Sequence, residues 1–306
     1  MIPKKPQDTE AYQFNWRFFA SARDGLREIL RQDDVRGKSI LLPAYIGVSP
    51  NEGSGIMDPI REAGNYFEFY RLNDDLTIRD GWHRTILDAK RCVLFIVHVF
   101  GFYDPRLMEI RDWAKGQGMT IIEDFAHAFF TFWQCSYLAA DYAMFSLHKM
   151  FPVPVGGAVL GAMRPRLHMG RSVNRYNRYN FHARLLANTN MDEIIRSRGR
   201  NETFLRYELF KHGTSLRESD PMDIGVPQSF PILLKDRATR DRAYHELTDA
   251  GFGVTSLWHT LVPEIGEEYD TEHDVSGRIL NLPCHQDCRT EDLKAMVEML
   301  VSCIKS

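Results

Sequence analysis

Between residues 39 and 160 the chain repeats one pattern: a short apolar run, then a stretch whose apolar residues recur at helical spacing. The runs fall at residues 39–42, 66–70, 92–99, 119–122, 141–145 and 158–160. Short apolar runs separated by amphipathic helices require a sheet covered by helices, which makes this an α/β chain with a largely parallel central sheet. Helices are expected over 18–30, with Ser21 as N-cap, and over 58–63, 82–89 and 106–117. Pro105 opens the last of these and Gly118 stops it.

The composition changes after Arg164. Arg166, Arg171, Arg175, Arg178 and Arg184 punctuate an aromatic and polar stretch, followed by Arg196, Arg198, Arg200 and Arg206. Arginine clamps phosphates and tyrosine stacks on bases, so nucleic acid is one reading of this region. Asp192, Glu193, Glu202 and Glu208 interrupt the charge, and the formal net charge of the chain is −3. A helical connection with arginines at an interface or near an anionic ligand is the expectation instead. A smaller unit follows. It has strands at 230–234 and 279–282, a strand beginning at 254–258, a helix over 237–250 ended by Gly251, and a last helix from Thr290 with Glu291 and Asp292 in its first turn. The expected division is a large domain over 1–175, an arginine-rich helical connection over 176–225 and a small C-terminal α/β domain over 226–306.

Hydrophobic residues make up 44% of the 306 and charged residues 26%, a profile that offers no global attraction to nucleic acid or an anionic membrane. No apolar run reaches 18 residues and residues 1–13 are polar, so neither a membrane span nor a signal peptide is expected. The five scattered cysteines fit a reducing cytoplasm. Cys284-His285-Gln286-Asp287-Cys288 has no second pair of ligands to complete a zinc site, and Glu123-Asp124 has none to complete a carboxylate metal site, so no metal is expected.

Two of the apolar runs end in opposite charges. Residues 119–122 lead into Glu123-Asp124, and residues 141–145 lead into Ser146-Leu147-His148-Lys149. In parallel sheets, binding loops lie beyond the carboxyl ends of strands, where both segments fall. A lysine that holds an aldehyde as a Schiff base and an aspartate that keeps a pyridine nitrogen protonated are what pyridoxal 5'-phosphate chemistry requires. Read alone, Lys149 is equally a surface lysine before the turn shaped by Pro152 and Pro154. Gly156-Gly157, seven residues on, allows a close backbone approach. Ser146 offers a hydroxyl to a phosphate, and Ser21 and Ala22 offer a helix N-terminus to the same group, or act as an ordinary cap. His127 is placed to approach the ring, Tyr45 to stack on it, and His98 to stand beside ring or substrate. Each is also ordinary core material. Trp258-His259 is within reach of the same cleft. No dinucleotide fingerprint or P-loop is present.

In their order and spacing these segments resemble the DegT/DnrJ/EryC1/StrS aminotransferase family, a branch of the fold type I pyridoxal phosphate enzymes. The match runs through Val97-His98-Val99-Phe100-Gly101, then Ile121-Ile122-Glu123-Asp124-Phe125-Ala126-His127-Ala128. It continues through Phe145-Ser146-Leu147-His148-Lys149 to Gly156-Gly157, and ends at Leu280-Asn281-Leu282-Pro283-Cys284-His285. The resemblance implies Lys149 as Schiff-base lysine, Asp124 as partner of the pyridine nitrogen and His127 at the Gln/His position beside the cofactor. It implies Ser146, Ser21 and Ala22 at the phosphate. It also implies a homodimer that transfers an amino group from an amino acid, glutamate in many members, to a keto acceptor such as a nucleotide-linked keto sugar. Three departures stand out. Ala20-Ser21-Ala22-Arg23 replaces a Ser-Gly-Thr-like turn, with Arg23 as a substitute phosphate contact. Ser146 precedes Lys149 by three residues where the family spacing is five. The chain starts close to its first helix, so contacts from an N-terminal extension are expected to be absent or replaced. Elimination by the same cofactor, or a catalytically silent regulatory protein on the same fold, stays open at this level.

Overall fold

The computed structural model describes residues 16–84, 86–135, 140–161, 181–212, 215–217 and 225–305. Strands β1 (Arg17–Phe19), β2 (Ser39–Pro43), β3 (Phe67–Tyr70), β4 (Cys92–Val97), β5 (Thr120–Asp124), β6 (Tyr142–Ser146) and β7 (Gly157–Gly161) form one sheet. Their order is β1-β7-β6-β5-β4-β2-β3. Only β7 runs against its neighbours. The register aligns Asp124 with Val97 on one side and Met144 on the other, so β4 and β5 end level and β6 runs two residues further to Ser146. Both β5 and β6 are buried along their whole length, as continuous apolar runs between helical layers must be.

Helices α1 (Ala22–Leu30), α2 (Met57–Ala63), α3 (Leu107–Gly116) and α4 (Phe129–Cys135) belong to this part of the chain. A longer helix, α5 (Met191–Leu209), leads to α6 (Arg237–Asp249), α7 (Asp270–Arg278) and α8 (Thr290–Lys305). The last three accompany an antiparallel pair, β8 (Ser229–Leu233) and β9 (Ile279–Pro283). Burial is organised in three clusters. One joins β2, β4 and β5 to α1, α2 and α3. A second is aromatic, with Trp16, Phe125, Phe129, Phe132 and Phe145 in mutual ring contact. The third packs Leu205 and Leu209 of α5 against β8, β9, α6 and α8, so the long helix is part of the C-terminal core.

Several expectations need correction. The segment 18–30 is not one helix: Ser21 caps α1 through a hydrogen bond from Asp24 N, but residues 17–19 pair with β7 as a strand. The extended form sends Phe18 into the aromatic cluster and Phe19 into the first cluster, which a helix could not do. Residues 82–84 form a turn and 86–88 are not helical, with Trp82 edge-on to Trp113 at 5.1 Å while Leu87 is fully exposed, so the described residues show no apolar helical stripe there. Residues 254–258 give only an isolated bridge between Thr255 and Asn281. Helix α7 buries only Glu272, Val275 and Ser276, too weak a pattern to signal itself in sequence. Arg164, Arg166, Arg171, Arg175 and Arg178 lie outside the described residues. Arg198 is buried, donates to Pro227 O and Gln228 O, and stands over Phe130. Arg206 bonds Glu202 and Arg217 O. These two cations are used inside the fold. No described helix is long and apolar enough to cross a membrane.

One glycine fixes the joint between α1 and the sheet. A Cβ on Gly157 would lie 2.2–2.4 Å from Ser21 C, Ser21 O and Ala22 N, all backbone atoms that cannot swing aside. Gly157→Ala is therefore expected to destabilise the fold by about 1–3 kcal/mol, read as a lower urea midpoint at unchanged slope.

Candidate active site

Adjacent residues of a strand face opposite sides of a sheet, and at the end of β5 that alternation separates two carboxylates. Glu123 is fully buried and receives Arg111 Nε and Nη2 at 2.6 Å each, with His98 Nε2 at 2.9 Å. Burial pushes the Glu123 carboxyl up, but the hydrogen bonds from His98 and Arg111 outweigh it and hold the pKa below the ordinary value. His98 also stacks on Phe125 at 4.2 Å. The structure thus places the His98 ring in the support under the strand end, not beside Lys149.

Asp124 faces the other way. Its Oδ1 accepts from Ala126 N at 2.7 Å, the only hydrogen bond of its side chain among the described residues, which leaves Oδ2 for another donor. Burial raises its pKa, while the Ala126 N–H and the charges of Lys149 and His98 act against that rise. The turn after β5, closed by Ala128 N to Phe125 O at 2.9 Å, carries His127. The chain after β6 forms a 3₁₀ turn over Leu147–Lys149, held by Leu147 N to Gly156 O at 2.9 Å.

These two turns bring Lys149 Nζ to 3.0 Å from His127 Nε2. The Lys149 side chain is exposed along its length, while protein atoms crowd around its ammonium. Burial lowers the pKa of Lys149, with Asp124 and Glu52 opposing and Arg23 reinforcing the shift. Burial drives His127 well below the usual imidazole value, and the Lys149 charge acts in the same direction. A neutral His127 that accepts from Lys149 at Nε2 carries its proton on Nδ1. That Nδ1 is buried with no hydrogen-bond partner, an exposed need for an acceptor inside the site.

The other predicted residues surround this centre unequally. Ser146 is buried at the end of β6, with Oγ 3.2 Å from His148 Nδ1. Ser21 Oγ donates to Asp24 Oδ2 at 2.8 Å and accepts from Asp24 N at 3.1 Å, so its side chain acts as the helix cap. The N–H groups of Ala22 and Arg23 precede the first bond of the helix, Gly25 N to Ser21 O. Arg23 points to Glu52 O at 2.6 Å. Tyr45 is fully buried and donates to Leu257 O at 3.3 Å, which makes it a support rather than an open face. Trp258, of the Trp258-His259 pair, stands near this centre: its indole lies 5.4 Å from the His127 ring and 5.6 Å from Tyr45. Phe100 lies parallel to His127 on another side, within 9° at 6.2 Å. Tyr45 and His98 also line an enclosed cavity of 20 Å³ that includes neither Lys149, Asp124 nor His127. It is large enough for one water and is not a ligand site. No group of three His, Cys, Asp or Glu among the described residues could hold a metal ion.

No family model and no curated protein sequence matches the chain. Solved structures do. A DegT DnrJ EryC1 StrS aminotransferase from Brucella abortus superposes with a TM-score of 0.74 at 14% identity, over 95% of this chain and 86% of that one. A putative sugar aminotransferase from Streptococcus pneumoniae gives 0.73 at 15%, over 95% and 86%. The aminotransferase TlmJ from Streptoalloteichus hindustanus gives 0.72 at 17%, with the same coverage. The chain has the fold of these enzymes, the fold type I architecture.

The charge of Asp124 favours the protonated form of Lys149, so removing it lowers the lysine pKa further. In Asp124→Asn the pH midpoint for acylation of Lys149 by acetic anhydride, followed by peptide mass spectrometry, is expected to move down relative to wild type. Exposed lysines in the same digest keep their midpoints.

Proposed function

We propose that the chain is a pyridoxal phosphate-dependent aminotransferase. The observation that carries this reading is Lys149 on a fold type I frame, with Nζ 3.0 Å from His127 Nε2 and its lowered pKa opposed by the charge of Asp124. The residues suit the cofactor: Asp124 Oδ2 is unspent, His127 Nδ1 lacks an acceptor, and Gly157 lets the N-terminus of α1 lie against the start of β7. Bound there, pyridoxal phosphate supplies an amine-reactive aldehyde and an electron-withdrawing ring. Asp124 would receive the ring N–H and His127 would donate to a ring oxygen. The Ala22 and Arg23 N–H groups and the Ser146 hydroxyl would hold the phosphate.

Lys149 has two tasks. Its neutral amine is the covalent anchor, and a lowered pKa raises the neutral fraction near pH 7. Freed by an incoming donor amine, Nζ would move a proton to and from the substrate carbon as general base and acid. His127 sets the direction of that lysine through its 3.0 Å contact. Glutamate is the donor and a keto sugar on a nucleotide the acceptor in our reading. Solved neighbours named as sugar aminotransferases support the acceptor class. We extend the reading to a cytoplasmic homodimer, with the exposed Val155 and Phe181 as apolar surface for a second subunit.

Purified protein mixed with pyridoxal phosphate is expected to gain an absorbance band near the visible edge, and borohydride is expected to trap the adduct on Lys149. Glutamate alone, with no acceptor, should convert the cofactor to its pyridoxamine form. Lys149→Ala should lose the trapped peptide and lower turnover by about 10²–10⁴-fold. A wild-type protein with neither band nor trapped peptide contradicts the reading.

A further inference from the structure

The segment around Trp258 is strapped to the segment after β2 on both sides of the indole. Tyr45 Oη donates to Leu257 O at 3.3 Å, Val48 N to Thr260 O at 3.0 Å, and Val262 N to Ile46 O at 2.9 Å. Ser276 Oγ donates to Trp258 O at 2.8 Å, and Leu257 N donates to Asn281 Oδ1 at 2.9 Å. Within this strap Trp258 adopts a left-handed backbone, φ 60°, which a bulky residue takes up only when its surroundings impose it. Its seat is Gly47. A Cβ there would fall 2.0 Å from Trp258 Cδ1, 2.4 Å from Cγ and 2.8 Å from Cβ, too near the root of the side chain for rotation to relieve. The indole is nonetheless only half-buried, and its ring stands 5.4 Å from that of His127, which contacts Lys149. At that separation no third ring fits between indole and imidazole, so a ligand has the remaining accessible surface of the indole.

A bulky aromatic held in a constrained backbone, on a glycine seat, beside the histidine that contacts Lys149 is a preorganised binding surface. We propose that Trp258, seated on Gly47, is the aromatic wall against which the pyridine ring of the cofactor packs, the part that Tyr45 cannot play from its buried position. This assignment rests on the pyridoxal phosphate reading and names a binding residue within it. It also makes positions 47 and 258 complementary: an aromatic side chain at 47 would grow into the space that Trp258 occupies.

The test is a pyridoxal phosphate titration of wild type, Trp258→Phe, Trp258→Ala, Gly47→Ala and the double variant Gly47→Phe/Trp258→Ala. Absorbance and tryptophan fluorescence are both read, with thermal melts as the control on folding. Trp258→Ala is expected to weaken cofactor binding about five- to tenfold, the size of an aromatic contact. Trp258→Phe should bind within about threefold of wild type and lose the quenching contributed by the indole. Gly47→Ala should weaken binding in the same direction, and the double variant should recover most of the loss. Trp258→Ala binding within about twofold of wild type, or full quenching in Trp258→Phe, overturns the assignment. If Trp258→Ala does not fold, the quenching in Trp258→Phe and the affinity of Gly47→Ala decide. Wild type that forms no Lys149 adduct overturns the cofactor reading itself, whereas wild type that does, matched by Trp258→Ala, overturns only the role of Trp258.

Discussion

Glu123 and Asp124 put two negative charges side by side at the end of the most central strand, and the two are resolved in opposite ways. Glu123 faces α3 and meets a bidentate Arg111 with His98 beside it, so its charge is neutralised inside the fold. Such a buried network is costly to break, because removing one partner strands the other charge at about 3–5 kcal/mol. It pins the end of β5 and, through His98 N to Asp124 O at 3.0 Å, the backbone of the next residue. Asp124 is then held with its carboxylate on the other face, with no cation in direct contact among the described residues. One carboxylate fixes the strand so that the other can be presented unspent.

The electrostatics of Lys149 and His127 follow from that presentation. Two basic groups 3.0 Å apart in a crowded site cannot both carry a proton cheaply, and burial already disfavours both charges. His127 is the easier to keep neutral, so the proton that is present stays with the lysine, and Asp124 limits how far the lysine pKa falls. The pH consequence has a definite sign. A histidine whose pKa is lowered on folding binds fewer protons folded than unfolded. Its contribution to stability is therefore complete above pH 6.5 and is lost as the pH falls through the interval below that value.

Much of this frame was legible in the sequence because it depends on local signals. Apolar runs located six strands of the sheet to within a few residues, Ser21 announced the start of α1, and the charges at residues 123–124 and 149 marked strand ends. The turns at His127 and Lys149 were near enough to those ends for both residues to be expected around one ring, though their direct contact was not. What escaped depends on side-chain direction and on tertiary contact. His98 lies one residue past β4, where the period of two no longer says which face it takes, and its proximity to Glu123 settles the matter. Tyr45 was the candidate ring face, and Trp258 was placed only within reach of the cleft. Only the strap between residues 45–48 and 257–262 shows that the first is buried beneath the second. The run Phe129–Cys135 gathers Phe129, Phe130, Phe132 and Trp133 on one face and leaves Gln134 and Cys135 exposed, but at seven residues it is too short for that period to announce a helix.

That strap also binds the two halves of the chain into one site. The turn at His127 is held from below by β5, flanked by Phe100 and overlaid by Trp258, which arrives more than one hundred residues later in the sequence. Phe100 is itself fixed from the C-terminal side, since Gln228 N donates to its carbonyl at 2.7 Å. The lysine-bearing turn and its immediate acid come from the large sheet alone, but the aromatic surroundings exist only when the C-terminal part is docked. A ligand that contacts both sides therefore binds the docked state better than any opened one and stabilises it by mass action. The left-handed backbone of Trp258 works against that docking and the hydrogen bonds from Tyr45, Val48, Val262 and Ser276 work for it.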